Sequence, residues 1–255
     1  MTAKKLITIV FGTRPEAIKL APLIIAFRKS NVFQTRVIFT GQHREMVEQV
    51  IKIFDIKYDL NLNLMRHNQT LSHITNEAIK GLENEFQEFK PKLLIVQGDT
   101  STSFAAALAA SYNKIPIAHV EAGLRTNNLL DPFPEEINRR LISQISTLHF
   151  APTKKSSINL TRSGVSGKIY VTGNTVIDAL FLCSKMKTSL PTKKTDWSSN
   201  DVIFATIHRR ENWGQSVVSI ANAFIKILNE MPNVSFVIPM HPNLKVRNPI
   251  KEILG

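Results

Sequence analysis

The first candidate for chemistry in this sequence is the turn "FGTRPEAIK", which covers residues 11–19 and follows the apolar run "LITIV". Gly12 permits a tight turn and Pro15 suits the first turn of a helix, so a helix is expected to begin here with free main-chain N–H groups at its positive end. Such an end is typical of anion sites. Arg14 adds a guanidinium, and Lys19 adds an ammonium one turn further on. The turn predicts an anion site, although an ordinary capped helix with solvated Arg14 and Lys19 would use the same residues.

Acidic residues follow other apolar runs at comparable positions. Asp99 lies in "QGDTSTS", Glu121 in "HVEAGLRT" and Glu135 in "PFPEEINRR". Each has a structural alternative, because Asp99 could cap a helix, Glu121 could pair with Arg125, and Glu135 could favour a helix N-terminus. Three acidic loops are therefore expected to meet the cationic turn at one edge of the sheet.

A further candidate is His208 in "HRREN", because histidine transfers protons near neutral pH and the neighbouring arginines suit phosphate. A structural histidine is the equally weighted alternative. The sequence contains no ligand cluster with metal-site spacing and no Gly-x-Ser-x-Gly elbow. It also lacks the Gly-x-Gly-x-x-Gly pattern of dinucleotide enzymes, so neither a metal nor a nicotinamide cofactor is expected.

These residues need elements that bring them to one edge, and the hydrophobic pattern predicts such elements. Short apolar or β-branched runs alternate with segments of helical period, which is typical of an α/β fold with a doubly wound parallel sheet. Ligands bind beyond the carboxyl ends of the strands in such sheets. The predicted strands are "LITIVF", "TRVIFT", "KLLIVQ", "IPIAHV", "TLHFAP" and "KIYVTG", and the predicted helices cover 15–30, 43–54, 71–89, 102–113, 135–146 and 174–187.

The sequence predicts two domains. The N-terminal domain is expected over residues 1–187 and a polar linker, "TSLPTKKTDWSSN", over 188–200. From 201 to 255 the strands "DVIFATI" and "VSFVIP" alternate with a helix around 215–231 and one more short helical piece. Two parallel strands bury little apolar surface, so this second domain is expected to be the incomplete start of a larger one.

Composition bounds the class of protein. The 255 residues are 43% hydrophobic and 20% charged, which is typical of a globular chain. The single cysteine, Cys183, excludes a disulfide framework and favours the cytoplasm. No run reaches the ~20 apolar residues of a membrane span, and the apolar start is shorter than a signal-peptide core. The formal charge of +12 fits nucleic acid, an anionic membrane or a phosphorylated small molecule, but the dispersed Lys and Arg disfavour nucleic acid.

Seven motifs, taken together and in order, resemble those of the bacterial non-hydrolysing UDP-N-acetylglucosamine (UDP-GlcNAc) 2-epimerases. The resemblance extends through essentially all 255 residues. The motifs are "FGTRPEAIK", "GQHREM", "GDTSTSFAAALAA", "HVEAGLRT", "PFPEEINRR", "VTGNTVIDAL" and "HRREN".

The resemblance implies two Rossmann-like domains in the glycosyltransferase-B arrangement and, usually, a homodimer. Family members continue beyond the position of Gly255, so the second domain is expected to be C-terminally truncated here. The implied activity is interconversion of UDP-GlcNAc and UDP-N-acetylmannosamine (UDP-ManNAc) for surface polysaccharides, without a cofactor. UDP is eliminated to give a 2-acetamidoglucal, and it adds again after a proton has returned to the other face of C2.

The resemblance also implies roles for individual residues at matching motif positions. The catalytic positions are Asp99, Glu121, Glu135 and His208, and the positions beside the substrate diphosphate are Arg14 and Lys19.

Bacterial members also hold a second, regulatory UDP-GlcNAc. Gln42, Glu135, Arg209 and His241 match that site, whereas Asn68 stands where some members have an Arg.

Other readings remain open at this point. The chain could be an inactive fragment, or a half-enzyme that needs a separate C-terminal chain. An uncovered apolar surface would indicate such an incomplete protein. A glycosyltransferase of the same architecture is a third reading, which the clustered acids disfavour.

Overall fold

The computed structural model describes residues 4–42, 45–66, 69–126, 128–186, 197–207, 214–240 and 243–255. By its internal contacts the chain divides into two compact units, residues 1–186 and 187–255. Most of the predicted linker lies outside the described residues. The two units are therefore described separately.

The first unit is built on a seven-stranded sheet whose paired strands are all parallel. The strand order is β3-β2-β1-β4-β5-β6-β7, so the chain moves outward from β1 in one direction and then outward from β4 in the other. Because the strand order reverses between β1 and β4, a crevice lies at the carboxyl ends of these two strands. The strands are β1 (Lys5–Phe11), β2 (Phe33–Phe39), β3 (Leu60–Asn61), β4 (Leu93–Gln97), β5 (Ile117–Val120), β6 (Leu148–Ala151) and β7 (Lys168–Val171).

Helices cover both faces of this sheet, as the near-continuous apolar strands require. Ile9 and Val10 are adjacent in β1 and both fully buried, yet they belong to different apolar clusters because successive side chains of a strand point to opposite faces. The helices of the unit are α1 (Arg14–Arg28), α2 (Glu45–Ile53), α3 (Leu71–Glu88), α4 (Ser101–Tyr112), α5 (Glu135–Ile145), α6 (Lys154–Arg162) and α7 (Thr175–Ser184).

The second unit has a small parallel sheet in its described part. Strands β8 (Asp201–Phe204) and β9 (Val234–Val237) pair, and helices α8 (Gln215–Glu230) and α9 (Leu244–Leu254) pack with them. Phe224 of α8 stacks on Phe236 of β9 with ring centroids 4.4 Å apart. Phe204 of β8 is 62% exposed, so this sheet keeps apolar surface in contact with solvent.

The fold agrees with the predicted α/β class and differs from the predicted elements in two places. The sheet of the first unit contains seven strands rather than the predicted six, because the two-residue strand β3 is too short to produce an alternating pattern. The sequence prediction also missed α6, whose polar segment "KKSSINLTR" lacks an apolar stripe. Its start is nevertheless marked by Thr153, whose side chain accepts a hydrogen bond from the main-chain N–H of Ser156.

No helix in the described part of the chain is long and apolar enough to cross a bilayer.

Candidate functional site

The carboxyl ends of β1, β4 and β5 bring the cationic turn and the acidic loops together. The clearest contact is at Glu121, the residue directly after β5. Lys19 of α1 donates from its Nζ to Oε2 of Glu121 at 2.5 Å. Gln97, the last residue of β4, donates to the same oxygen. Asn174 donates from its Nδ2 to the other oxygen, Oε1, at 2.6 Å.

Asn174 joins two parts of the site because both ends of its amide are used. Its Oδ1 accepts the main-chain N–H of Val176 at 3.0 Å and so caps α7, while its Nδ2 reaches Glu121. The carboxylate of Glu121 is therefore held by donors from α1, β4 and the start of α7. The expected alternative, a pair between Glu121 and Arg125, is wrong, since Arg125 donates instead to the hydroxyl of Ser143 at 3.0 Å.

Asp99 occupies the turn after β4, and its environment differs from that of Glu121. Burial raises the pKa of the Asp99 carboxyl, and the nearby carboxylates of Glu135 and Glu121 raise it further, whereas Arg139 opposes them. Arg139 forms an ion pair with Asp99, with its Nη2 2.5 Å from Oδ2. Asp99 is not the helix cap that the sequence left open, because α4 is capped by Thr100, whose hydroxyl accepts the N–H of Ser103 at 3.0 Å.

The two adjacent acids at the start of α5 have different surroundings. Glu135 is the first residue of the helix, is partly buried, and lies close enough to Asp99 to raise its pKa. Glu136 is fully buried and holds the loop before the helix, since it accepts from Arg140 Nε at 2.6 Å and from the N–H of Thr126 at 3.0 Å. Of these two acids, only Glu135 therefore lies with the carboxylates of Asp99 and Glu121.

The predicted anion turn after β1 is present, but its main-chain donors are already used. The N–H groups of Gly12 and Thr13 donate to Oε2 of Glu16 at 3.1 and 2.7 Å. The expectation of free N–H groups at these two residues is therefore wrong. Arg14 begins α1 with an exposed side chain that forms no ion pair within the described ranges.

Close packing explains why the turn needs a glycine. A Cβ built on Gly12 would lie 2.3 Å from Oγ1 of Thr40 and 2.4 Å from Oγ1 of Thr102. These two hydroxyls lie 3.2 Å apart, and the hydroxyl of Thr102 also donates to Oε1 of Gln42 at 2.6 Å. The predicted regulatory residue Gln42 is thus tied to the turn through Thr102.

Behind the carboxylates lies a buried histidine that the sequence reasoning did not select. His119 in β5 is 0% exposed, and its Nε2 lies 2.7 Å from the carbonyl oxygen of Gly98, which precedes Asp99. Burial lowers the pKa of His119 to about 4, so the ring is neutral near pH 7. A neutral ring donates from Nε2 to Gly98 and so supports the turn that carries Asp99.

Three predicted residues, His208, Arg209 and His241, lie outside the described residues. In the part of the chain that the structure describes, no group of three or more His, Cys, Asp or Glu residues could hold a metal ion.

Comparison with known proteins decides the family. Residues 25–255 match the family model described as UDP-N-acetylglucosamine 2-epimerase. The chain belongs to this family. A UDP-GlcNAc 2-epimerase of Neisseria meningitidis is 48% identical over 254 residues, which are 96% of this chain and 68% of the relative. A protein of Thermotoga maritima named as a putative UDP-GlcNAc 2-epimerase is 50% identical over 241 residues, or 93% of this chain and 64% of the relative.

Solved epimerase structures agree with the fold. The crystal structure of the Neisseria meningitidis UDP-GlcNAc 2-epimerase bound to UDP-GlcNAc is 46% identical and superposes with a TM-score of 0.87, covering 98% of this chain and 69% of that one. The chain thus spans about two thirds of the length of these epimerases. The glycosyltransferase-B type fold expected from the motifs is confirmed by these neighbours.

Sequence reasoning missed several polar residues of this epimerase-family site. Gln97 was not among the predicted site residues, although its position at the end of β4 could have indicated a contact. Asn174 carries a recognisable helix-cap signal, but that signal does not reveal its second bond to Glu121. Arg139 and Arg140 are adjacent in a polar helix, and nothing in the sequence distinguishes the one that pairs with Asp99.

Proposed function

We propose that this chain carries the active-site half of a UDP-GlcNAc 2-epimerase and that it interconverts UDP-GlcNAc and UDP-ManNAc. The observation that supports this most strongly is the meeting of Asp99, Glu121 and Glu135 with Lys19 at one sheet edge. Epimerisation at C2 needs a group that removes a proton from one face and a group that returns it to the other. It also needs cationic groups for the departing diphosphate.

The proposed reaction balances without an oxidant or a reductant. A carboxylate takes the C2 proton while the C1–O bond breaks and its electron pair leaves with the diphosphate of UDP. The products of this step are a 2-acetamidoglucal with a C1–C2 double bond, UDP and a protonated carboxyl group. A second acid then returns a proton to the opposite face of C2, and the diphosphate oxygen adds again at C1.

The environments of the two carboxylates support different tasks. Glu121 is contacted by N–H donors from Lys19, Gln97 and Asn174, which is complementary to an ionised carboxylate, so we assign it the proton-abstracting role. The pKa of Asp99 is raised by burial and by its acidic neighbours, so we assign it the role of the acid that returns the proton.

We assign cationic roles to two residues of α1. We assign Arg14, with its exposed guanidinium, to the diphosphate, and Lys19, which contacts Glu121, to the same group. Glu135 and His208 complete the proposed acid–base or leaving-group set.

Three further proposals follow from the family. Gln42, Glu135, Arg209 and His241 would hold a second, regulatory UDP-GlcNAc. The protein would work in the cytoplasm on a surface-polysaccharide precursor. It would act as a homodimer.

The test of the proposed activity is proton NMR of UDP-GlcNAc in D₂O with the purified chain. We expect UDP-ManNAc signals to appear and the C2 proton signal to disappear as deuterium enters C2. The Glu121→Gln variant, which keeps the size of the side chain, should show neither change. A folded wild-type chain that neither exchanges the C2 proton nor forms the epimer would contradict the proposal.

Uncovered apolar surface favours a second candidate, in which the chain is a binding half that is completed by further polypeptide. Tyr170 and Val171 of β7 and Leu180 and Phe181 of α7 are between 46% and 63% exposed. Between α1, α7 and the sheet lies an apolar cavity of about 400 Å³, lined in part by Phe150. Saturation-transfer NMR that detects bound UDP-GlcNAc without C2 exchange would favour this candidate over the first.

A further inference from the structure

Glu16 is a buried carboxylate that the proposed reaction does not use, and its side chain accepts the N–H of the N-cap Thr13 as in a capping box. It is the third residue of α1 and is only 1% exposed. A buried carboxylate is costly unless hydrogen bonds replace its contacts with water. The positions of its partners indicate what it does.

One carboxylate oxygen of Glu16 binds the turn after β1. Oε2 accepts the N–H of Gly12 at 3.1 Å and that of Thr13 at 2.7 Å. In many phosphate-binding turns, N–H groups at this position point at the ligand. Here they are occupied by a side chain of the same protein.

The other oxygen binds the turn after β4, which carries Asp99. Oε1 accepts the hydroxyl of Thr100 at 2.7 Å and lies 2.7 Å from Oγ of Ser103. The hydroxyl of Ser103 has a second acceptor, the carbonyl oxygen of Gln97, at 2.6 Å. Because the side chain of Gln97 donates to Glu121, the contacts of Glu16 extend to both carboxylates of the proposed reaction.

We propose that Glu16 is a positioning residue that fixes the β1–α1 turn against the β4–α4 turn by occupying the N–H groups of Gly12 and Thr13. The first turn leads to Arg14 and Lys19, and the second carries Asp99. Their separation is set by one carboxylate bonded to both turns. Glu16 does not contact the substrate.

One consequence concerns anions. An anionic ligand at this edge cannot use the N–H groups of Gly12 and Thr13, because both already donate to Oε2 of Glu16. Recognition of a diphosphate then depends on side-chain cations, above all Arg14. This distinguishes the turn from phosphate loops that bind through the main chain.

The occupied N–H groups can be tested without any assay of activity. In the ¹⁵N-labelled wild-type chain, the amides of Gly12 and Thr13 should exchange slowly with D₂O and should keep their chemical shifts during a titration with inorganic pyrophosphate. In Glu16→Ala both amides should exchange about 10²-fold faster and should shift with pyrophosphate. Glu16→Gln keeps an acceptor and should resemble the wild type.

The matched control is Glu85→Gln. It changes another buried carboxylate, which lies in α3 and pairs with Arg36 of β2. It should leave both amides unchanged. Rapid exchange or a pyrophosphate shift of the wild-type amides would overturn the proposal, and this result needs no variant. The wild-type measurement therefore decides the matter even where Glu16→Ala fails to fold.

The positioning role rests on the proposed function and has its own readout. A misplaced catalytic group lowers kcat, so Glu16→Ala should reduce kcat for C2 exchange by about 10²-fold while Glu16→Gln recovers most of it. A folded Glu16→Ala with wild-type kcat would overturn the role. Absence of exchange in the wild type would instead contradict the epimerase proposal, and the amide measurements would still report on Glu16.

Discussion

The ammonium of Lys19 lies 2.5 Å from Oε2 of Glu121, although the two residues are 102 positions apart in the chain. Lys19 comes from α1, which follows the first strand, and Glu121 comes from the turn after β5. Their side chains are 23% and 11% exposed, so the pair is largely shielded from solvent. The contact joins the cationic turn to the acidic loops.

The first prediction is that these two residues are energetically coupled. A double-mutant cycle of Lys19→Met and Glu121→Gln should give a coupling of roughly 1–3 kcal/mol in the free energy of unfolding, since residues in direct contact are not additive. Lys19→Met alone should be the more harmful change, because it leaves the largely shielded Glu121 carboxylate with amide donors only. Urea unfolding of the four proteins measures the coupling, and strict additivity would refute it.

The second prediction concerns the pKa of Asp99. Removing the cation in Arg139→Gln should raise the pKa of Asp99 further, because Arg139 opposes the effect of burial. Carboxyl ¹³C NMR across a pH series measures this pKa directly. Arg140→Gln is the matched control, because Arg140 is half-exposed and pairs with Glu136. Equal pKa values of Asp99 in the two variants would contradict the assignment.

The raised pKa of Asp99 also has a consequence for stability. A carboxyl whose pKa is higher in the folded state binds more protons there than in the unfolded chain. The stabilisation of the folded state by this carboxyl is fully present below the ordinary pKa of 3.8, and it is lost as pH rises through the pKa of Asp99 in the folded state. The free energy of unfolding of Asp99→Asn, relative to that of the wild type, should therefore increase as pH rises from 3.8 through the folded-state pKa of Asp99.

The third prediction concerns acid stability. The pKa of His119 is lowered from 6.5 to about 4, so between these values the unfolded chain binds a proton that the folded chain does not. The wild type should lose up to roughly 3 kcal/mol of unfolding free energy from this residue as pH falls through that range. His119→Gln, which keeps a donor for Gly98, should lack this part of the loss. Parallel pH profiles for the two proteins would show that the prediction is wrong.

The fourth prediction compares two glycines with positive φ. Gly123 has φ +89°, and a Cβ there would lie 2.2 Å from the main-chain oxygen of Ser156, whereas Gly164 has φ +63° and open space around it. Gly164→Ala should cost about 1–2 kcal/mol from backbone strain alone. Gly123→Ala should cost more than that, because the main chain at Ser156 cannot rotate away as a side chain could. Thermal or urea unfolding measures both, and equal costs would contradict the close approach.

The sequence predicted those residues of the site that interrupt the strong apolar pattern of the strands. Asp99 and Glu121 are polar residues at the ends of apolar strands, and the topology of a parallel sheet places such residues together. The partners of these acids could not be predicted in the same way. Arg139 lies in α5, and its contact with Asp99 depends on how this helix packs beside the turn after β4. The strand β3 and the helix α6 were missed because one is very short and the other is polar.

Glu121 has φ +63°, a left-handed conformation that glycine or asparagine adopts more readily than glutamate. The chain therefore keeps at this point a residue that the local fold disfavours, as it would where chemistry rather than folding determines the residue. Stability and activity are opposed at this single position. Under the proposed function, Glu121→Gly or Glu121→Asn should relieve about 1–2 kcal/mol of backbone strain, but either change would lose contacts of Glu121 with Lys19, Gln97 and Asn174 and with them the exchange of the C2 proton.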